Sequence, residues 1–444
     1  MNQAFLDYYR CPDEYADFQE LNAGLKKGGS GYFLFTPEVI CYGSSDVEVQ
    51  EDLHGALPDV SSRVRIEGST CFLPFDPTEV ADNFRYERYV QEVSKSGWKK
   101  LFRDGYYWVR PALPVKIRRH LQRLSLRGWK TKSFPTWPVD RSVDRMFEKL
   151  MALSVEAHQR AETPFIWFWP EGKSSCAIVT HDVETLAGLN FAGNLMDIND
   201  SFGIKSSFQI IPEERYPASE ETLTTIRSRG FEINVHDLKH DGHLFDEHEE
   251  FLKSAERINK YAERFGSKGF RSGALYRNTD WFGAFSFSYD MSVPNMGHLD
   301  PQPGGCCTVM PFFVGDILEL PVTTTQDYSL FHILDRYTIE LWKEQVTEIM
   351  ENHGLISFIV HPDYLDTEKA RNTYSALLGY LSEVRLNHDL WMALPREVDT
   401  WWRQRTRMRL VNSKGVWKVT GAGAERARVA CASCSNGRLK YRFQ

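Results

Sequence analysis

From Thr163 onward, short β-branched or aromatic runs return at intervals that leave room for about one helix between them. They are CAIVT (176–180), SSFQII (206–211), FEINV (231–235), GFRSG (269–273), FSFSY (285–289), ILELPV (317–322) and LISFIV (355–360). Between them, amphipathic stretches at 219–229, 247–264, 337–352 and 366–383 read as helices. Strand–helix alternation of this kind predicts βαβ units and a parallel sheet, because parallel neighbours need a crossover connection. Seven runs without internal sequence identity predict an α/β protein built on a (β/α) barrel, seven-stranded and distorted, over residues 141–404. An open sheet is the alternative architecture.

The flanks read differently. Residues 1–140 mix strand-like runs with turns and two expected helices, near 78–94 and 114–126, and form an N-terminal α+β region of unassigned role. The two prolines of SFPTWPVDRSVD (133–144) mark a linker or crossover. Residues 405–444 alternate apolar and polar positions between Gly and Asn turns, which predicts a small C-terminal antiparallel β appendage covering a barrel edge.

Composition sets the outer bounds. A chain of 444 residues with 42% hydrophobic content can bury a sizeable core. Its formal net charge of −7 argues against a nucleic-acid partner. No apolar run approaches the roughly 18 residues needed to cross a bilayer. The start, MNQAFLDYYRCPDEYADF, has neither the basic residues nor the apolar core of a secretory leader, so a cytoplasmic setting is expected. Eight scattered cysteines then read as reduced thiols, and Cys431-Ala-Ser-Cys434 lacks the second pair of a zinc ribbon. Between Lys99 and Lys132 there are eleven Lys or Arg and one acidic residue, Asp104. This stretch reads as a solvated helix face in preference to a site for a membrane surface or an acidic glycan. The aromatic share of 13%, with 12 Trp, leans towards a planar or sugar-like ligand.

The strand ends carry the chemistry. Followed to their C-terminal ends, the runs present Asp182 and Glu184, then His236, Arg271, Asp290 and His361. In a parallel barrel these ends share one rim, where active sites are built. In FEINVHDLKH, His236 and His240 lie four apart. If the chain turns helical there, both imidazoles share a face and can share an ion, with Glu184 as a third donor. Two surface histidines are the plain alternative. A zincin helix would need Glu at position 237, which is Asp. The facial triad of non-haem iron favours antiparallel scaffolds, so the parallel pattern counts against it. His181 faces away from Asp182 if the strand continues and reads as structural. His243 is the substitute ligand should His240 point elsewhere, and His248 reads as solvent-facing. Arg271 also fits a plain barrel ion pair, and Asp290 a turn cap.

The ordered set Thr180-His181-Asp182-Val183-Glu184, His236…His240, Arg271, Asp290 and His361 resembles the metal-dependent polysaccharide deacetylases of the NodB-homology, or carbohydrate esterase four, type. The resemblance covers roughly residues 170–400. It implies Asp182 as catalytic base, with Glu184, His236 and His240 holding a divalent metal, zinc first and cobalt, nickel or iron otherwise. It further implies that Arg271 orients Asp182, that Asp290 holds Arg271, and that His361 is the general acid. The family's usual adjacent Asp-Asp is spaced here as Asp182-Val183-Glu184, and its Arg-x-Pro-Tyr motif reads Arg271-Ser272-Gly273-Ala274. The implied activity is removal of N-acetyl, or O-acetyl, groups from a carbohydrate. The competing readings are hydrolysis of a small cyclic amide or ureide at the same site, and a catalytically silent glycan-binding relative. The sequence leaves the sugar and the oligomeric state open.

Overall fold

The structure is a computed structural model that describes residues 2–21, 29–90, 129–159, 162–435 and 438–444. The helix expected at 114–126 and most of the basic stretch 99–132 lie outside the described residues. The chain forms two compact units, one of residues 1–89, 141–173 and 400–444, the other of 90–140 and 174–399. The division therefore runs differently from the sequence boundaries at 140/141 and 404/405.

In the second unit, β1 (Ser175–Val183), β2 (Ser207–Ile210), β3 (Glu232–His236), β4 (Gly269–Arg271), β5 (Tyr289–Asp290), β6 (Phe312–Val314), β7 (Ile317–Glu319), β8 (Leu355–Ile359) and β9 (Leu390–Met392) form one sheet. Its order is β6-β7-β5-β4-β3-β2-β1-β8, and β9 also pairs with β1. Every neighbour is parallel except β6, which runs against β7. The helices between strands are α1 (Leu186–Ser201), α2 (Glu220–Ser228), α3 (His248–Phe265), α4 (Glu340–Glu351) and α5 (Glu368–Asn387). Three begin at side-chain caps: Thr185, Ser219 and Thr367 accept from the N–H of Gly188, Thr222 and Ala370.

The sheet is open, which corrects the expectation of a seven-stranded barrel. No ladder joins β8 to β7. Instead Thr323 Oγ1 donates to Leu355 O (2.8 Å) and accepts the Ser357 N–H (2.9 Å), so side-chain bonds span the seam where strand pairing is missing. FSFSY also departs from expectation, since only Tyr289 and Asp290 join the sheet. Its alternating Phe285 and Phe287 are instead buried against Phe270, with ring centroids 4.6 and 5.2 Å away. The alternation thus reports burial rather than strand pairing.

In the first unit, Val429–Ser435 pairs antiparallel with both Arg438–Phe443 and Thr163–Ile166. The C-terminal β residues therefore extend a strand of their own unit, not the edge of the large sheet. Arg405 is fully buried there and donates to the carbonyls of Tyr8, Ile166 and Trp167. All eight cysteines are free thiols. Among the described residues no helix is long and apolar enough to cross a membrane.

At the opposite end of β3 from His236, Glu232 is buried beneath the Tyr289 hydroxyl, the Asn234 amide (3.0 Å) and the Arg396 N–H (3.2 Å). Burial pushes its carboxyl up from 4.5 to about 7. A folded-state pKa above the unfolded one means the neutral acid is favoured by folding. Its contribution is complete below about pH 4.5 and is lost as pH rises through about 7, an effect of up to about 3 kcal/mol. Glu232→Gln is therefore expected to flatten the fall in melting temperature between pH 5 and 8. An unchanged slope in a calorimetric series would contradict this origin.

Candidate metal centre

β1 is buried along its whole length and delivers Asp182 at its penultimate position. Arg271, the last residue of β4, is fully buried; its Nη1 donates to Asp182 Oδ1 (3.1 Å) and Thr180 Oγ1 (3.0 Å). Burial opposes ionisation of Asp182, but the Arg271 guanidinium with the His236 and His361 imidazoles outweighs it, so its carboxyl is held below its usual range.

Glu184 occupies the one position between the end of β1 and the cap residue Thr185. His236 closes β3, with Nδ1 placed 3.1 Å from Arg271 O. That contact orients the ring, and its Nε2 lies 3.9 Å from Asp182 Oδ2. The chain does not turn helical after His236. It bends through left-handed residues at Asp237 and His240, both at φ 56°. Asp237 stabilises the bend by accepting the N–H of Leu238 (2.6 Å) and of Gly273 (3.0 Å). A Cβ at position 273 would sit 2.4 Å from Asp237 Oδ2, so this approach requires glycine. The bend, rather than helical spacing, places His240 Nε2 3.3 Å from Glu184 Oε1.

One donor atom from each of Glu184, His236 and His240 thus lies within 4.8 Å of the others. Both Nε2 atoms are buried; among the described residues that of His236 has no hydrogen-bond partner, and that of His240 meets only the Glu184 carboxylate at 3.3 Å. An orphaned buried nitrogen is costly, and a cation between the two nitrogens and the carboxylate removes that cost. Donors about 2.0–2.2 Å from one zinc ion stand about 3.4 Å apart, close to the His240–Glu184 separation. Two imidazoles and a carboxylate are a donor set that suits zinc. Burial pushes His236 down to about 4, leaving it neutral as a ligand must be. For Glu184 burial again opposes charge, and His240 and His361 reverse it, holding the carboxyl well below its ordinary range.

His361 lies two residues beyond Ile359, the end of β8. Its Nδ1 is 2.7 Å from Asp327 Oδ1, and its backbone N–H donates to Asp327 Oδ2 (2.8 Å). Burial acts to lower its pKa, but Asp327, with Glu184 and Asp182, raises it to about 10. His361 is thus an imidazolium at neutral pH, with Nε2 3.8 Å from Glu184 Oε1. Leu275, Val322 and Ile359, close in sequence to Ala274 and His361, form a small buried apolar cluster.

Asp290 makes no hydrogen bond to Arg271, although the guanidinium charge acts to lower its pKa. The ladder pairs it with Phe270, one residue short of Arg271, and with Glu319 on the other side. Its carboxylate accepts from the Met291 N–H (2.7 Å) and the Ser292 hydroxyl (2.6 Å), and it shares a hydrogen bond with Glu319. Burial pushes Asp290 up to about 6 and Glu319 well above its ordinary value. Sequence reasoning also missed Asp327, which lies in TTTQD beyond a strand run and carries no periodic signal. His181 is a buried structural residue, with Nδ1 2.9 Å from Val360 O and Nε2 3.1 Å from the Asn199 amide. His243 is turned to Asp246 (2.9 Å) at the surface, so His240 and not His243 joins the cluster.

No family model and no curated protein matches this chain. Among solved structures, a protein from Mycobacterium smegmatis named as a polysaccharide deacetylase matches with TM-score 0.43 and 20% identity, over 56% of this chain and 97% of its own. One of the same name from Pseudomonas aeruginosa PAO1 matches with TM-score 0.40 and 14% identity, over 53% and 93%. Puue allantoinase matches with TM-score 0.40 and 12% identity, over 53% and 92%. At these values the side chains above, not the overlap, bear on the chemistry.

Zinc that binds the folded chain alone, at 100 times its dissociation constant, is expected to stabilise it by about 2.7 kcal/mol. The melting temperature should rise accordingly. His236→Ala and His240→Ala should each abolish the rise; a rise retained in both variants would place the ion elsewhere.

Proposed function

We propose that this chain is a metal-dependent hydrolase that removes acetyl groups, N-acetyl in preference to O-acetyl, from a carbohydrate. The activity is assigned to the unit containing residues 174–399. The observation that carries this reading is the convergence of two buried imidazole Nε2 atoms and the Glu184 carboxylate on one point, beside an ionised carboxylate and an imidazolium.

Glu184, His236 and His240 would hold the ion, with zinc the best fit to the donors. When bound, a divalent cation supplies Lewis acidity that eases ionisation of water near neutral pH. Asp182 is the base. Arg271 occupies its Oδ1, leaving Oδ2, on the His236 side, to take the proton of the attacking water. Arg271 keeps the carboxylate ionised and fixed in orientation. By the resemblance, the N–H of Ala274 would be the backbone donor to the developing oxyanion. His361 then delivers its Nε2 proton to the departing amine, because an amide anion leaves too poorly without one. Asp327 fixes which nitrogen carries that proton by accepting from Nδ1. A base, an acid and separate orienting partners for each exceed what glycan binding alone requires.

The test is acetate release from N-acetylglucosamine oligomers by the zinc-loaded protein. Asp182→Asn is expected to lower the rate by at least about 100-fold, the usual scale for loss of a general base, with zinc still bound. A rate untouched by Asp182→Asn overturns the assignment of the base, and no release from any acetylated sugar overturns the activity.

A further inference from the structure

Resting on that reading of the metal site, we infer that Asp363 and Tyr364 are positioning residues that clamp Glu184, so that His361-Pro362-Asp363-Tyr364 builds the carboxylate side of the centre. Glu184 needs such a clamp. It lies one residue beyond the last residue of β1, outside the ladder to β2 that ends at Val183↔Ile210, and one residue before the cap of α1. The strand therefore fixes Asp182 but does not fix Glu184.

Two groups from the neighbouring segment do so. Asp363 Oδ2 accepts the Glu184 N–H (2.9 Å), and its Oδ1 accepts the Thr185 hydroxyl. Asp363 thus holds the backbone N–H of Glu184 and the side chain of the residue that follows it. The Tyr364 hydroxyl donates to Glu184 Oε2 (3.1 Å), leaving Oε1 as the oxygen that faces His240 at 3.3 Å and His361 at 3.8 Å. The Tyr364 ring also lies against the His361 ring, centroids 4.8 Å apart. A third residue belongs to the device. A Cβ on Gly188 would come within 2.4 Å of Asp363 Oδ2, the acceptor of the Glu184 N–H, so the first turn of α1 must be bare at that point. Groups that orient a metal ligand without touching the ion usually change its affinity by roughly 10- to 100-fold when removed.

The experiment measures the zinc dissociation constant of the full chain by competition with a chromophoric chelator, alongside circular dichroism and melting of the metal-free protein. Tyr364→Phe, which keeps the ring, is expected to weaken zinc binding by roughly tenfold while the metal-free melting temperature holds. Asp363→Ala is expected to weaken it more, with partial rescue in Asp363→Asn, whose remaining carbonyl can still accept the Glu184 N–H. Gly188→Ala is the sharpest arm. Alanine ordinarily stabilises a helix relative to glycine, yet here it is expected to weaken zinc binding by displacing the Asp363 carboxylate. Zinc affinity unchanged in both Tyr364→Phe and Gly188→Ala overturns the clamp and leaves the metal site standing. If the unmodified protein binds no zinc and Glu184→Gln changes nothing, the metal site itself is overturned.

Discussion

Two carboxylates two positions apart, Asp182 and Glu184, enter one buried pocket, and the rest of the centre follows from how their charges are compensated. Like charges brought out of water together cannot both stay ionised unless cations meet them. Asp182 is met by Arg271, itself fully buried and held at the end of β4. Glu184 is met by imidazoles from two other segments, His240 at 3.3 Å and His361 at 3.8 Å from its Oε1. These cationic neighbours more than offset burial and repulsion, holding both carboxyls below their ordinary range.

The same balance separates the two proposed proton-transfer roles. Asp182 is kept ionised by a guanidinium that cannot give up its proton, whereas His361 is kept protonated by Asp327 on its far nitrogen. Environments that push two groups in opposite directions are how one site supplies a base and an acid at the same pH. Each group is tied to a partner that is itself buried, so the arrangement does not depend on exposed side chains whose positions water would average.

Much of this was legible in the sequence, for definite reasons. β1, β3 and β8 are buried through their length, so their apolar runs stand out, and residues at their ends must be accounted for by something other than core packing. On that ground Asp182, His236 and His361 are placed on one rim, and the parallel order of the sheet follows from the same alternation. The failures also have physical causes. Helical spacing predicted that His236 and His240 share a face, but they meet through left-handed backbone at Asp237 and His240, which residue spacing does not encode. The expected bond from Asp290 to Arg271 is not formed; the ladder sets Asp290 beside Phe270 and Glu319, and only the guanidinium charge reaches it. Asp327 and the open seam bridged by Thr323 belong to irregular chain, where no period marks the residues that matter. Helix α1 went unread because glycines at 188 and 193 and an exposed Leu186 blur its apolar stripe, and Gly188 is set by the approach of Asp363, not by helix propensity.

The central claim is that Glu184, His236 and His240 bind one divalent ion, and anomalous diffraction at the zinc edge from zinc-grown crystals tests it most directly. The account predicts a single strong peak per chain at this rim, about 2.0–2.2 Å from two imidazole nitrogens and one glutamate oxygen. A map with no peak there, or with zinc held only by cysteine sulfur, would contradict it.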